Sequence, residues 1–409
     1  MKKIVILCSF LSSSLLSAIK IDFGGFAQLQ SFYDTREIIG AYDDLFLAAP
    51  EDKELDAFGS DINNHPKFNM TALSSELQFK ITGPDVNCFK TRAYIEFDFV
   101  GTATAGIDIG SANLRHAYAV LASDHHEILF GQTWHPIRPE YCTPHVVSYN
   151  AGSPVSAYAL DPQLRYYYRT GSFEFLLAAL EQGHIYQSEG PEGESPRYIH
   201  RAIVPNLHAQ LNYVTTEHMV GVGIDYKRLV PRVVNDVGNT VDEQVNSVCA
   251  TLHGSKKFSP CTVRAQFIYA QNISDMFSIA GYAVTDRNPL TDQRSYAPVQ
   301  SINFWLDIDA NTTKFVPGFF CGVVKNLGTT SKIHFFDAQG EPIVYSYIPN
   351  AAYVFRVSPR LVWNSNKFQV GLEAEYTGAA FGKLNNYANV PHGSYVGVFR
   401  ALLALTYYF

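Results

Sequence analysis

The chain is poor in charge, in methionine and in tryptophan, and it lacks long hydrophobic runs. Charged residues fill 17% of its 409 positions, with 4 Met and 3 Trp. A helical enzyme of this size carries more charge and fewer aromatics. A membrane helix needs about 20 mostly apolar residues in a row, and no such run occurs, so the chain spans no membrane as helices. Cysteine is sparse as well. After residue 18 there remain Cys88, Cys142, Cys249, Cys261 and Cys321, too widely spaced for a CxxC metal or redox site and odd in number, so at least one is unpaired. HExxH, GxSxG and EF-hand patterns are missing. No catalytic residue, metal or cofactor is therefore expected. The formal net charge of −7 excludes the basic footprint of a nucleic-acid-binding protein.

What is abundant is aromatic: 25 Tyr and 28 Phe. Mean hydropathy is −0.05, yet the apolar residues alternate. In Ser394 to Phe409 (SYVGVFRALLALTYYF), Tyr395, Gly397, Phe399, Ala401, Leu403, Leu405, Tyr407 and Phe409 occupy one register while Arg400 and Thr406 occupy the other. Successive side chains of a strand point to opposite faces, so one face suits hydrocarbon and the other water, with aromatic ends as in a barrel strand that crosses a membrane. The terminal Phe409, with Tyr407 in the same register, resembles the signal by which outer-membrane barrels are recognised for assembly. At the other end, Met1, Lys2 and Lys3 precede an apolar stretch from Ile4 to Leu16 and the small pair Ser17 and Ala18. This reads as a secretory signal peptide over residues 1–18, with the barrel occupying 19–409.

Turn residues divide the rest into about sixteen alternating segments: 20–34, 72–83, 88–101, 111–122, 126–134, 163–170, 173–184, 205–215, 218–229, 246–257, 261–273, 300–309, 314–327, 351–363, 367–379 and 394–409. Short and long connections alternate, which predicts a closed antiparallel transmembrane β-barrel of about sixteen strands with short periplasmic turns and long extracellular loops. Closure removes the unpaired edges that lipid does not tolerate. A charge at the lipid-facing midplane costs about 2–4 kcal/mol, so ionisable residues are expected inside, in a water-filled lumen. Basic inward residues are Lys80, Lys90, Arg92, Arg115, Arg165, Arg169, Lys227, Arg264, Arg356, Arg360 and Arg400; acidic ones are Glu76, Glu96, Asp98, Asp225, Asp307, Glu373 and Glu375. The excess of arginine and lysine predicts a preference for small anions. His125 and His126 fall in a tight turn and His116 follows an inward arginine, so all three are read as solvated or interfacial. The acidic, partly apolar stretch Glu37 to Asp61 is read as a surface cap or a latch onto a neighbouring copy.

Several motifs carry a family resemblance: IEFDFVG, LRHAYAVL, LFGQTWHPI, DPQLRY, the early YDTR, and LSSELQFKITGP. In this order they resemble the DcaP-like outer-membrane porins, densely from about residue 20 to 170 and thinly afterwards. The resemblance implies a sixteen-stranded homotrimeric diffusion channel in outer-membrane lipid, favouring small anions such as dicarboxylates. Porins fold their third exterior loop into the pore. Here that loop spans 135–162, which makes His135, Arg138, Glu140 and His145 constriction candidates beside Arg92, Glu96, Asp98, Arg115, Arg165, Arg169, Arg356, Arg360 and Arg400. The competing reading is a surface structural or adhesion protein whose loops bind a partner and whose barrel is only an anchor.

Overall fold

A computed structural model describes residues 19–102, 109–182 and 188–409; the expected signal peptide lies outside them. Sixteen staves form one closed antiparallel sheet. They are β1 (Lys20–Asp34), β2 (two segments, Lys67–Thr71 and Glu76–Thr82), β3 (Lys90–Thr102), β4 (Ile109–Ala122), β5 (His126–Trp134), β6 (Leu160–Thr170), β7 (Phe173–Leu180), β8 (Asn206–Val214), β9 (His218–Leu229), β10 (Val245–Lys257), β11 (Cys261–Gln271), β12 (Gln300–Ala310), β13 (Phe315–Gly328), β14 (Ala351–Ser365), β15 (Phe368–Phe381) and β16 (Ser394–Tyr408). Closure is made by β1. It pairs with β16 from Phe26↔Tyr408 to Asp34↔Arg400 and with β2 along its length. Among the described residues no free edge remains in this sheet, as a barrel wall facing hydrocarbon requires.

The alternation sets which way each side chain points. Leu164, Leu177, Leu207, Val222, Ile224, Phe304, Leu361, Leu372 and Leu405 stand outward and exposed. Near the short-turn end, aromatic pairs on neighbouring staves form a girdle: Phe23 with Phe79 at 5.3 Å between ring centres, Phe173 with Tyr213 at 5.3 Å, and Phe368 with Tyr407 at 4.9 Å. Phe409 closes the seam, its N–H donating to the Gly25 carbonyl at 3.2 Å and its ring 5.7 Å from Phe23.

Three departures from the expected pattern have physical causes. The second stave is broken at residues 72–75, where Ser75 Oγ bonds the Gln28 carbonyl and accepts from the Gln28 N–H. A bulge opposite Glu96 and Phe97 shifts the register by one at Arg115, so His116 joins Arg115 inside. His116 is thus buried against Trp134 at 5.4 Å rather than solvated or interfacial.

The third departure is the largest. Ile38–Ala41 and Phe46–Pro50 form a hairpin that enters the barrel, and Leu45 to Ala49 are fully buried. Of the stretch read as a surface cap or a latch, the apolar part instead packs against inward Phe320, Val324, Val354, Phe381 and Val396, because those inward positions are apolar and need covering, while residues 53–60 stay exposed. At the long-loop end a small sheet of Tyr282–Arg287, Arg294–Pro298 and Val344–Tyr345 covers the barrel. Among the described residues helix is confined to Arg197–His200 and a single 3-10 turn, Ser274–Met276.

Candidate functional site

Residues 135–159, the connection between β5 and β6, reach across to the far wall of the barrel. Their backbone is fastened there. The His145 N–H donates to Asp307 at 3.3 Å, the Val147 N–H to Glu373, and Asn150 Nδ2 to Glu375 at 2.9 Å. Asn303 Nδ2 reaches the Val155 carbonyl at 3.2 Å and Gln266 Nε2 the Ile137 carbonyl at 2.6 Å. Two inward glycines admit the loop. A Cβ on Gly322 would stand 2.4 Å from Val155, and one on Gly371 2.8 Å from Val147.

Arg356, Arg360 and Arg400, expected on the pore wall, therefore lie beneath the loops. Arg356 is fully buried; it pairs with Glu375 at 3.0 Å and donates to the carbonyls of Leu47 and Ser153, so it clasps both in-folded loops at once. Arg360 pairs with Asp307 at 2.8 Å and with Asp309, which Arg264 also reaches at 2.7 Å. Arg400 forms a two-point pair with Asp34 at 2.6 and 2.7 Å. These pairs sit in a partly dry core. Removing one partner of such a pair strands the other charge, which makes them rigid fixings rather than solute contacts. His145 joins them through Asp309 at 2.7 Å.

The opposite wall, β3 to β8, stays open. Between it and the loop segment Pro136–Thr143 lies a cavity of about 350 Å³, lined by Arg92, Arg138, Arg165, Glu127, Glu140 and Glu174 together with Tyr94, Tyr118, Tyr141, Tyr167, Gln210 and Asn212. Most charges here are matched. Arg92 pairs with Glu127 at 2.8 Å, and Arg169 bridges Glu127 at 3.1 Å and Glu174 at 2.6 Å. Above them Arg115 gathers Glu96 at 2.8 Å, Asp98 at 3.0 Å and Glu76 at 3.4 Å. Tyr149 of the loop donates to the same Asp98 at 2.7 Å.

Two guanidiniums are different. Among the described residues no carboxylate lies within ion-pair distance of Arg138 or Arg165. Arg165 is held by neutral partners, donating to Gln163 Oε1 at 2.8 Å, Tyr167 Oη at 2.7 Å and the Trp134 carbonyl at 2.6 Å. Arg138 stacks over Trp134 at 4.8 Å and Tyr158 at 5.4 Å, and its Nη1 has no hydrogen-bond partner. Burial lowers the Arg138 guanidinium to about 10, which leaves it charged at neutral pH. Glu140 is exposed and without an ion pair among the described residues, so the eyelet carries two uncompensated positive charges against one negative. Glu127 and Glu174 were missed as inward acids although both sit on the inward register; with Asp34 and Asp309 they offset the basic excess counted from the sequence.

His135 lies in the wall rather than the eyelet. Its Nε2 is 3.4 Å from Asp225, and His208 Nδ1 is 3.3 Å from the same carboxylate. This trio has the residue types of a metal site, but His135 Nδ1 accepts the Ile137 N–H at 3.1 Å. That bond leaves the proton on Nε2, which stands near Asp225 without a hydrogen bond to it. The five cysteines among the described residues are free thiols.

No family model matches the chain, and no curated protein matches it. Solved structures do. The outer membrane channel DcaP of Acinetobacter baumannii aligns with a TM-score of 0.72 and 17% identity, covering 96% of this chain and 98% of that one. An anion-selective porin from Comamonas acidovorans aligns with a TM-score of 0.55 and 10% identity over 96% and 100% of the two chains. Salmonella typhi OmpF, in complex with daunomycin, gives 0.51 and 12% over 96% and 99%. The chain thus has the closed sixteen-strand antiparallel barrel fold of the porins, which it shares with the DcaP channel over nearly the full length of both.

Proposed function

We propose that the protein is an outer-membrane porin, a passive diffusion channel for small hydrophilic solutes, with a preference for anions set by Arg138 and Arg165. The carrying observation is the pair of uncompensated guanidiniums facing the 350 Å³ cavity while every other lumenal arginine in the candidate set has a carboxylate partner. A planar guanidinium grips carboxylates at two points, and in a narrow pore lined by low-dielectric walls its field acts on each passing ion. In this reading residues 1–18 export the chain, Phe409 and Tyr407 present it to the barrel-assembly machinery, the apolar exterior meets outer-membrane lipid, and three copies assemble. The DcaP channel and the Comamonas porin, sharing the fold, support the general role.

The ordered exterior sheet speaks for the second reading, a surface protein that binds through its loops. Beside it, Arg232 of the connection between β9 and β10 pairs with Glu243 at 2.7 Å and with Asp292 at 3.2 Å, which fixes the two loops to each other. Planar-bilayer recording separates the two. A porin passes steady ohmic current, with a reversal potential on the anion side in a potassium chloride gradient; a pure anchor passes none.

A further inference from the structure

The third loop is not the sole segment inside the barrel at mid-height. The tip of the first-loop hairpin, Tyr42, Asp43 and Asp44, holds three successive left-handed residues at φ 58, 56 and 62°. None is glycine, and L-residues adopt this conformation one at a time rather than in runs. Such a turn persists only where its surroundings over-determine it, and strain of this kind clusters at working sites. The surroundings here do so. Arg400, held by Asp34 across the closing seam, donates to the Asp44 carbonyl at 2.8 Å; Lys67 pairs with the Asp44 carboxylate at 2.8 Å; Asn69 Nδ2 donates to the Asp43 carbonyl at 2.7 Å.

What this scaffold presents to the lumen is the Tyr42 ring. It stands edge-on to Tyr149 of the third loop, 6.1 Å between centres and 86° between planes. Both rings line a second cavity of about 160 Å³ whose opposite side is Phe26, Gln28 and Glu76 of β1 and β2. Arg115, Trp134 and Arg138 border it on the side of the charged eyelet; Trp134 and Arg138 line both cavities. The two spaces are adjacent, and the smaller is bounded by three loops, through Tyr42, Tyr149 and Phe277 of the connection between β11 and β12.

We propose that the Tyr42–Asp44 turn is a second constriction element, with Tyr42 a size-determining residue for solutes, packed beside Tyr149 and facing β1 and β2 across the smaller cavity. The inference rests on the pore reading. The barrel seam, through Asp34, Arg400 and Lys67, is what fixes the ring's position, so the size limit is built into barrel closure rather than into the third loop alone.

The test measures, in planar bilayers with potassium chloride, the unitary conductance and the longest polyethylene glycol that enters the pore, for wild type, Tyr42→Ala and Tyr42→Trp. Removing the ring is expected to raise conductance and admit longer polymer; enlarging it is expected to lower both. If Tyr42→Ala does not fold, the Tyr42→Trp decrease still decides the matter. A conducting wild type whose folded variants match it in conductance and polymer cut-off overturns this inference and leaves the pore reading standing. A wild type that passes no current overturns both.

Discussion

The two halves of the barrel obey the same alternation and put it to opposite uses. Along β3 to β8 the inward residues are mainly polar, with Val120, Leu129 and Leu176 among them, and the space before them is left open, bordered by tyrosines, amides and arginines. Along β12 to β16 the inward positions include Trp305, Phe320, Val324, Val354, Ala379 and Val396, and the in-folded loops seal them into a core. Arginines occur on both walls. On the open side Arg165 of the wall and Arg138 of the facing loop keep their charge uncompensated, whereas on the sealed wall Arg356, Arg360 and Arg400 direct theirs to carboxylates and loop carbonyls. The difference teaches that an inward arginine in a barrel is a candidate solute contact only where no loop lies over it.

The contrast breaks most visibly at Arg356. Its replacement by alanine removes the clasp on both loops and strands Glu375, which costs about 3–5 kcal/mol for a buried pair. Loss of heat-modifiable mobility at lower temperature, together with noisier channel current, is the expected result. Trp305→Ala opens the sealed core and is expected to cost a similar or slightly smaller amount, about 3–5 kcal/mol, seen as a lower denaturant midpoint. On the open side, Arg138→Ala with Arg165→Ala costs about 1–3 kcal/mol of stability, the penalty for the buried acceptors that Arg165 leaves unsatisfied, while the reversal potential moves toward zero. Glu140→Gln is the smallest change: stability holds, and anion preference rises because the one unpaired acid is gone. Raising salt from 0.1 to 1 M shortens the Debye length from about 10 to about 3 Å, so the selectivity difference between wild type and the double variant should shrink.

Much of the barrel was legible because its rule is local. Strand limits such as 126–134 and 218–229 coincide with the observed staves, since alternation and turn residues are properties of neighbours in sequence. Inwardness was legible too, for Glu373 and Asn212 alike. What lay over an inward residue was not. Nothing in the alternation of β13 distinguishes Gly322, which makes room for Val155, from a glycine facing water, and nothing near Arg356 announces that the carbonyls of Leu47 and Ser153 will reach it. The bulge at Arg115 likewise depends on the register of two strands and not on either alone. The first-loop hairpin has acidic flanks and an apolar middle, and the flanks suggested the surface while the middle decided its burial.

Accessibility of introduced thiols tests the division of the lumen most directly. Tyr118 lines the open cavity, and Ser358 is fully buried on the sealed wall, where its hydroxyl donates to Glu373 at 2.6 Å. With the wild type as baseline for the native cysteines, a charged methanethiosulfonate reagent added during bilayer recording should cut the current through Tyr118→Cys and leave Ser358→Cys at the wild-type level. Block through Ser358→Cys with none through Tyr118→Cys would place the conducting path on the other wall and contradict the account.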